Sequence, residues 1–189
     1  MNKQLHQKII GVIVCFVLLM PSIALGQNAT LTNIIVTNTR DDLIFYMTVD
    51  GAFTDKMENA ILSGVPATFS FFITLYQSRN LWLDKKIAAI KVTHTIKYDT
   101  LKKEFVVKRS WENDKPHVTQ SFDEARKLMA DIDSLKMISL DRLEKGGQYQ
   151  IRAKAELNKL TLPFYLHYVL FFVSLWDFET DWYTIDFIY

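Results

Sequence analysis

Asp177, Glu179 and Asp181 stand two residues apart, and three carboxylates at that spacing could bind a hard cation such as calcium. The calcium-loop pattern, with its turn glycine and distal glutamate, is absent around them. They read instead as the wet face of a strand. His94, His117 and His167 lie far apart in the chain, without metal-ligand spacing. His94 shares the apolar-facing parity of an alternating segment with Ile96 and Tyr98. A hydrogen-bonded structural histidine is expected there, because catalytic use needs a partner constellation. The nucleophile elbow, the zinc-protease helix motif, the phosphate loop and the dinucleotide fingerprint are all missing. Acid pairs could meet in space as they do in glycosidases, but no pair is singled out. Hence no catalytic residue, metal ligand or cofactor site is expected, and an enzyme with an unrecognised site ranks behind non-enzymatic readings.

The chain opens with Lys3 and Lys8, no acid, and an uncharged apolar run from Ile9 to Met20. Pro21 breaks the run, and Ala24-Leu25-Gly26 supplies the small residues of a secretory cleavage site. Residues 1–26 are therefore expected to be a signal peptide, and 27–189 a single exported domain starting at Gln27. As a helix, Ile9 to Met20 would span about 18 Å, short of the roughly 30 Å of a bilayer core. The one cysteine, Cys15, sits in mid-run without small residues just before it, unlike a lipoprotein cysteine. Past residue 26 there is no cysteine, so neither a disulfide nor a thiolate metal site can form. That favours a bacterial periplasm over a disulfide-stapled secreted domain. Removing Lys3 and Lys8 takes the 22 basic residues to 20, against 21 acidic. A balance this close carries no electrostatic footprint for nucleic acid.

The elements behind those residues are mostly strands. Leu31 to Asn38 is rich in β-branched residues, and Leu43, Phe45, Met47 and Val49 alternate after a polar turn, which predicts a first hairpin. Thr54 or Asp55 caps a short helix, with Glu58 as capping-box partner. Gly64 stops that helix in a left-handed conformation and Pro66 prevents its resumption. Ala67 to Gln77 puts Ala67, Phe69, Phe71, Ile73 and Leu75 on one face, with Phe72 breaking the alternation. Ile87 to Tyr98 and Glu104 to Arg109 form a second hairpin, followed by a polar loop at 112–116. Ser121 and Glu124 open a second helix with Ala125, Leu128, Met129 and Ile132 on its stripe, and residues 134–145 continue as a broken helix or loop. Gln148 to Leu157 alternates without fault, one face dry and one wet, as antiparallel sheets do.

Leu160 to Trp176 carries no formal charge apart from His167. Pro163 suits the first turn of a helix, and 163–176 would reach about 21 Å, too short to span a bilayer. Two readings are open: a segment packed in the core, or a helix docked in a membrane interface or a partner's groove. The candidate interaction surface comprises Tyr165, Leu166, Tyr168, Val169, Leu170, Phe172, Val173, Trp176, Trp182 and Tyr183, rich in the amphipathic aromatics that interfaces favour. Beyond Trp182 the apolar residues Tyr183, Ile185, Phe187 and Tyr189 take the parity that the acids held. A bulge or bend near Asp181–Tyr183 would resolve the change, since one extra residue flips the facing.

Taken in order, an early hairpin, Ser63-Gly64-Val65-Pro66 entering a strand, Trp82 in a polar connector and Tyr98-Asp99-Thr100-Leu101 form the first half of a pattern. Ser121 to Ala125, Tyr149 to Leu157, Leu162-Pro163, Trp176-Asp177-Phe178 and Asp181-Trp182-Tyr183 complete it. The pattern resembles the exported bacterial family known as domain of unknown function 4390. The resemblance implies an exported or membrane-associated protein of unassigned activity. It also implies an accessory of envelope signalling, because such genes often neighbour sensor histidine-kinase genes, with a sensor kinase as a partner.

The expected fold is mainly β (α+β): an antiparallel β-sandwich-like domain of seven or eight strands, with two short helices and an apolar aromatic C-terminal segment. A curved single sheet gripping a helix is the runner-up. The first functional reading is a non-enzymatic periplasmic interaction or accessory module. It would sit in the periplasm or on the periplasmic face of the inner membrane, and dock on a membrane or membrane partner through residues 163–183. The second is a binding or sensor domain holding an apolar ligand, lined by Phe69, Phe71, Phe72 and the aromatic tail.

Overall fold

The computed structural model describes residues 29–79, 83–113, 115–158 and 178–189. The expected signal peptide and cleavage site, Trp82, and the candidate residues from Tyr165 to Trp176 lie outside them. Within them the chain forms two antiparallel sheets and two α-helices around one hydrophobic core.

The smaller sheet has the order β1-β2-β7, built from β1 (Thr30–Asn38), β2 (Asp42–Asp50) and β7 (Asp131–Ser139). The larger has the order β6-β5-β4-β3-β8-β9. Its strands are β3 (Ala67–Gln77), β4 (Lys85–Asp99), β5 (Glu104–Arg109), β6 (Pro116–Thr119), β8 (Gln148–Leu157) and β9 (Tyr183–Ile188). Helix α1 (Asp55–Leu62) links the two sheets after β2, and α2 (Phe122–Ala130) links them back before β7.

Alternation sets the dry face of the large sheet. Ala67, Phe69, Phe71, Ile73 and Leu75 of β3 are buried, as are Tyr149, Ile151, Ala153, Ala155 and Leu157 of β8. The β3–β8 register sets Phe71 beside Ala155 and Ile73 beside Ala153, so bulky side chains on one strand meet small ones on the next. Against this face pack Leu43, Phe45, Met47 and Val49 of β2, and both helices add their buried stripes to the same cluster.

Two expectations are corrected. The described residues contain nine strands, and the stretch expected as broken helix or loop is largely strand β7, followed by a single 3-10 turn at Leu140–Arg142. β7 carries two register shifts against β2, with Ser134 at φ 57°. Three steps along β7, Ile132 to Leu135, are matched by two steps between their partners Met47 and Phe45. That spacing imitates a helix, and it hid the strand. Ile132, expected on the second helix, belongs to β7 for the same reason.

Thr54, rather than Asp55, caps α1 by accepting a hydrogen bond from the Met57 amide at 3.2 Å. At the other end the Gly64 amide bonds Ile61 O and the Val65 amide bonds Ala60 O, with Gly64 at φ 89°. This is the Schellman arrangement, in which a left-handed residue satisfies the last carbonyls of a helix. A Cβ at Gly64 would meet only ordinary contacts with Thr100 and Tyr98, so the cost of substitution there is conformational. Gly64→Ala is expected to lower stability by about 1 kcal/mol, and Gly64→Val by more. Chemical denaturation of both variants measures this, and unchanged midpoints would contradict it.

Candidate interaction surface

β8 turns Gln150, Arg152, Lys154 and Glu156 outward, and β3 beside it turns out Phe72, Thr74 and Tyr76. These side chains are locked by charge and aromatic contacts. The Arg152 guanidinium lies 4.7 Å from the centre of the Tyr76 ring and donates to Asp84 at 3.4 Å. The Lys154 ammonium sits 5.7 Å from the Trp182 ring, is hydrogen-bonded to Glu179, and lies 3.6 Å from Glu156. The hydrogen bond to Glu179 holds the Lys154 pKa above the ordinary lysine value. Gln150 donates to Asp186 at 2.8 Å. Tyr76, Gln150, Arg152, Trp182 and Thr184 line an open groove of about 470 Å³.

The end of β8 also fastens the chain on both sides of residues 159–177. Asn158 donates its amide to Thr68 O at 2.8 Å and accepts from Ser70 Oγ at 2.5 Å. The Leu157 amide bonds Phe178 O at 3.0 Å, and Glu156 bridges Glu179. Buried Thr180 accepts from the Ala155 amide through Oγ1 and donates its own amide to Ala155 O. Phe178 turns inward and meets Phe69 edge-on, ring centres 4.8 Å apart. Asn158 and Phe178 are therefore neighbours, held by backbone bonds and by the core.

The parity change is resolved by a bulge. Three steps along β8, Glu156 to Ala153, are matched by four steps from Glu179 to Tyr183. The extra residue falls at Asp181–Trp182. It lets Phe178 and Thr180 face inward before it and Ile185 and Phe187 after it, while Glu179 and Trp182 share the outer face. Of the ten candidate surface residues, Trp182 and Tyr183 are described, and they are 55% and 44% exposed. Asp177 lies outside the described residues, and Glu179 spends its charge on Lys154. Among the described residues no group of three potential ligands could hold a metal ion, and no helix is long and apolar enough to cross a membrane. Phe69 and Phe71 are fully buried, in contact with Phe53, Phe178 and His94. Phe72 is on the opposite face under Lys91. The three phenylalanines do not line one surface.

A second polar cluster is buried where α2 runs directly into β7. His94, fully buried between the rings of Phe71 and Trp111, donates from Nδ1 to Met129 O at 2.8 Å. Arg109 donates from Nε to Leu128 O at 3.0 Å and from Nη1 to Glu112 at 3.2 Å. Glu112 also pairs with His117. Burial would raise the Glu112 carboxyl, but the hydrogen bonds from His117 and Arg109 outweigh it and hold it below the usual range. Helix ends leave carbonyls unsatisfied, and His94 and Arg109 supply the donors that satisfy two of them. Sequence parity placed His94 inward. Buried Arg109 was missed, although it shares the inward parity of Phe105 and Val107.

Two antiparallel sheets, two capped helices and an aromatic, charge-paired outer face define a β-rich α+β domain. Its family follows from the sequence: the family described as Domain of unknown function (DUF4390) matches residues 26–186, and the chain belongs to it. No curated protein and no solved structure matches the chain.

Burial pushes the His94 pKa from 6.5 down to about 3, so the ring is neutral when folded at neutral pH. The unfolded chain binds that proton more readily, so the contribution is fully present above about pH 6.5 and lost progressively as pH falls towards 3. Two units below the unfolded value this amounts to about 2–3 kcal/mol. Urea unfolding of the wild type and His94→Phe across this range should show a shallower acid loss in the variant. Parallel losses would contradict the assignment.

Proposed function

We propose that this protein is a non-enzymatic, exported accessory module of the cell envelope that docks on a lipid bilayer surface through residues 163–183. The observation that carries the reading is that Asn158, bonded to Thr68 and Ser70, and Phe178, bonded to Leu157, are both fastened at the end of β8, beside exposed Trp182. The scaffold brings both ends of an apolar nineteen-residue stretch (159–177) to one point of a rigid sheet. Tryptophan and tyrosine there suit the boundary between headgroups and acyl chains. Burying a Phe or Leu contributes roughly 1.5–3 kcal/mol, so three or four such side chains suffice for reversible binding. Export rests on Lys3, Lys8, the apolar run and Ala24-Leu25-Gly26.

Charge has little part in the binding. From Asn158 onward Lys159 is the single lysine or arginine, against four acids. Binding should therefore need neither anionic lipid nor low salt, unlike that of a polybasic surface segment. Flotation of the purified chain with phosphatidylethanolamine–phosphatidylcholine vesicles, in low and high salt, tests this. Flotation is expected in both, and is expected to be lost in a Leu170→Ser, Phe172→Ser double variant that keeps its circular dichroism spectrum. A double variant that unfolds would place these residues in the core and sink the docking reading, as would a wild type that stays with the soluble fraction.

A further inference from the structure

Sheet edges expose unpaired backbone groups, and proteins blunt them with prolines, bulges, lysines or short strands. Among the described residues the two sheets have four edges, and three of them are blunted. β6 has four residues and begins at Pro116. β1 is bulged between Thr32 and Ile35, with Asn33 at φ 50°. β7 is bulged twice and carries Lys136. β9 is neither bulged nor interrupted by proline or lysine, and its one charged side chain is Asp186. Its register with β8 runs unbroken from Tyr183 to Ile188, without proline, glycine or a basic residue. Tyr183, Thr184, Asp186 and Ile188 are exposed, Ile188 at 71%.

The direction of the backbone groups follows from the end of the strand. The Tyr189 amide donates to Gly147 O at 3.1 Å, and its carbonyl accepts from the Gly146 amide at 2.5 Å. Alternation then turns Phe187, Ile185 and Tyr183 towards β8, and the amides and carbonyls of Thr184, Asp186 and Ile188 outward.

We propose that β9 is a strand-pairing edge for a second copy of this chain, joined antiparallel about a two-fold axis through Ile185. Such an axis, perpendicular to the sheet, keeps inner face with inner face, so residues of equal parity must meet. Centred on Ile185, the pairing sets Thr184 against Asp186, Tyr183 against Phe187 and Trp182 against Ile188. A hydroxyl meets a carboxylate, ring meets ring, and two exposed apolar side chains cover each other. These are the cross-strand pairs that stabilise a sheet. Centring on Asp186 would put like charges directly opposite. Centring on Thr184 would set Asp186 against Trp182 and leave Ile188 beyond the paired strand. The edge thus favours its own copy in one register, independently of any membrane.

The test is run without lipid. Sedimentation velocity over a dilution series should show a monomer–dimer equilibrium, and Thr184→Pro should weaken it at least about tenfold by removing an outward amide. In a Cys15→Ser background, Ile185→Cys should form a dimer disulfide with diamide as oxidant. Facing residues of a non-hydrogen-bonded pair are about 4.5 Å apart at Cα, within disulfide reach. Asp186→Cys, whose copy would sit two residues out of line, should not. A wild type that stays monomeric at every concentration overturns the proposal. So does a dimer indifferent to Thr184→Pro, or crosslinking equal at 185 and 186.

Discussion

The register between β3 and β8 is the constraint on which the rest depends. Side chains alternate with period two, so a slip of β8 by one residue would turn its five buried positions outward and bring Arg152 and Lys154 into the core. The register is specified by size as well as polarity, since Phe71 and Ile73 stand beside Ala155 and Ala153. β4 and β9 extend this pair on either side, and the small sheet and both helices close over its dry face.

That constraint has a consequence at its end. Where β8 runs out, Leu157 and Asn158 remain bonded to Phe178 and Thr68, and Phe178 reaches Phe69 at the heart of the dry face. The core thus fixes the positions of Asn158 and Phe178, the two residues that flank 159–177. The bulge at Asp181–Trp182 then turns one indole outward, while Ile185 and Phe187 return to the core. One inserted residue serves both the packing of the last strand and the exposure of Trp182.

Much of this was legible in the sequence, and the reasons are local. β3 and β8 alternate over ten residues or more, and no helix pattern competes. Thr54, Gly64 and Ser121 are capping residues whose chemistry fits one use. The parity change after Asp181 required an extra residue, and the register contains it. β7 was hidden because its bulges replace period two with helix-like spacing. The polar ends of α2 were hidden because His94 and Arg109 act on its carbonyls from strands distant in sequence. Even the Ser121 capping box forms only in half: Ser121 accepts from the Glu124 amide, while the Glu124 carboxylate turns to Thr119.

The central claim is that a rigid sheet presents the stretch around residues 163–183 to a membrane surface. Hydrogen exchange followed by mass spectrometry, with and without phosphatidylethanolamine–phosphatidylcholine vesicles, tests it most directly. Slowed exchange confined to peptides covering 159–183, with β3 and β8 unchanged and already slow, is the predicted result. Equal exchange of that stretch in both conditions, or loss of protection in β3 and β8 on adding vesicles, would contradict the account.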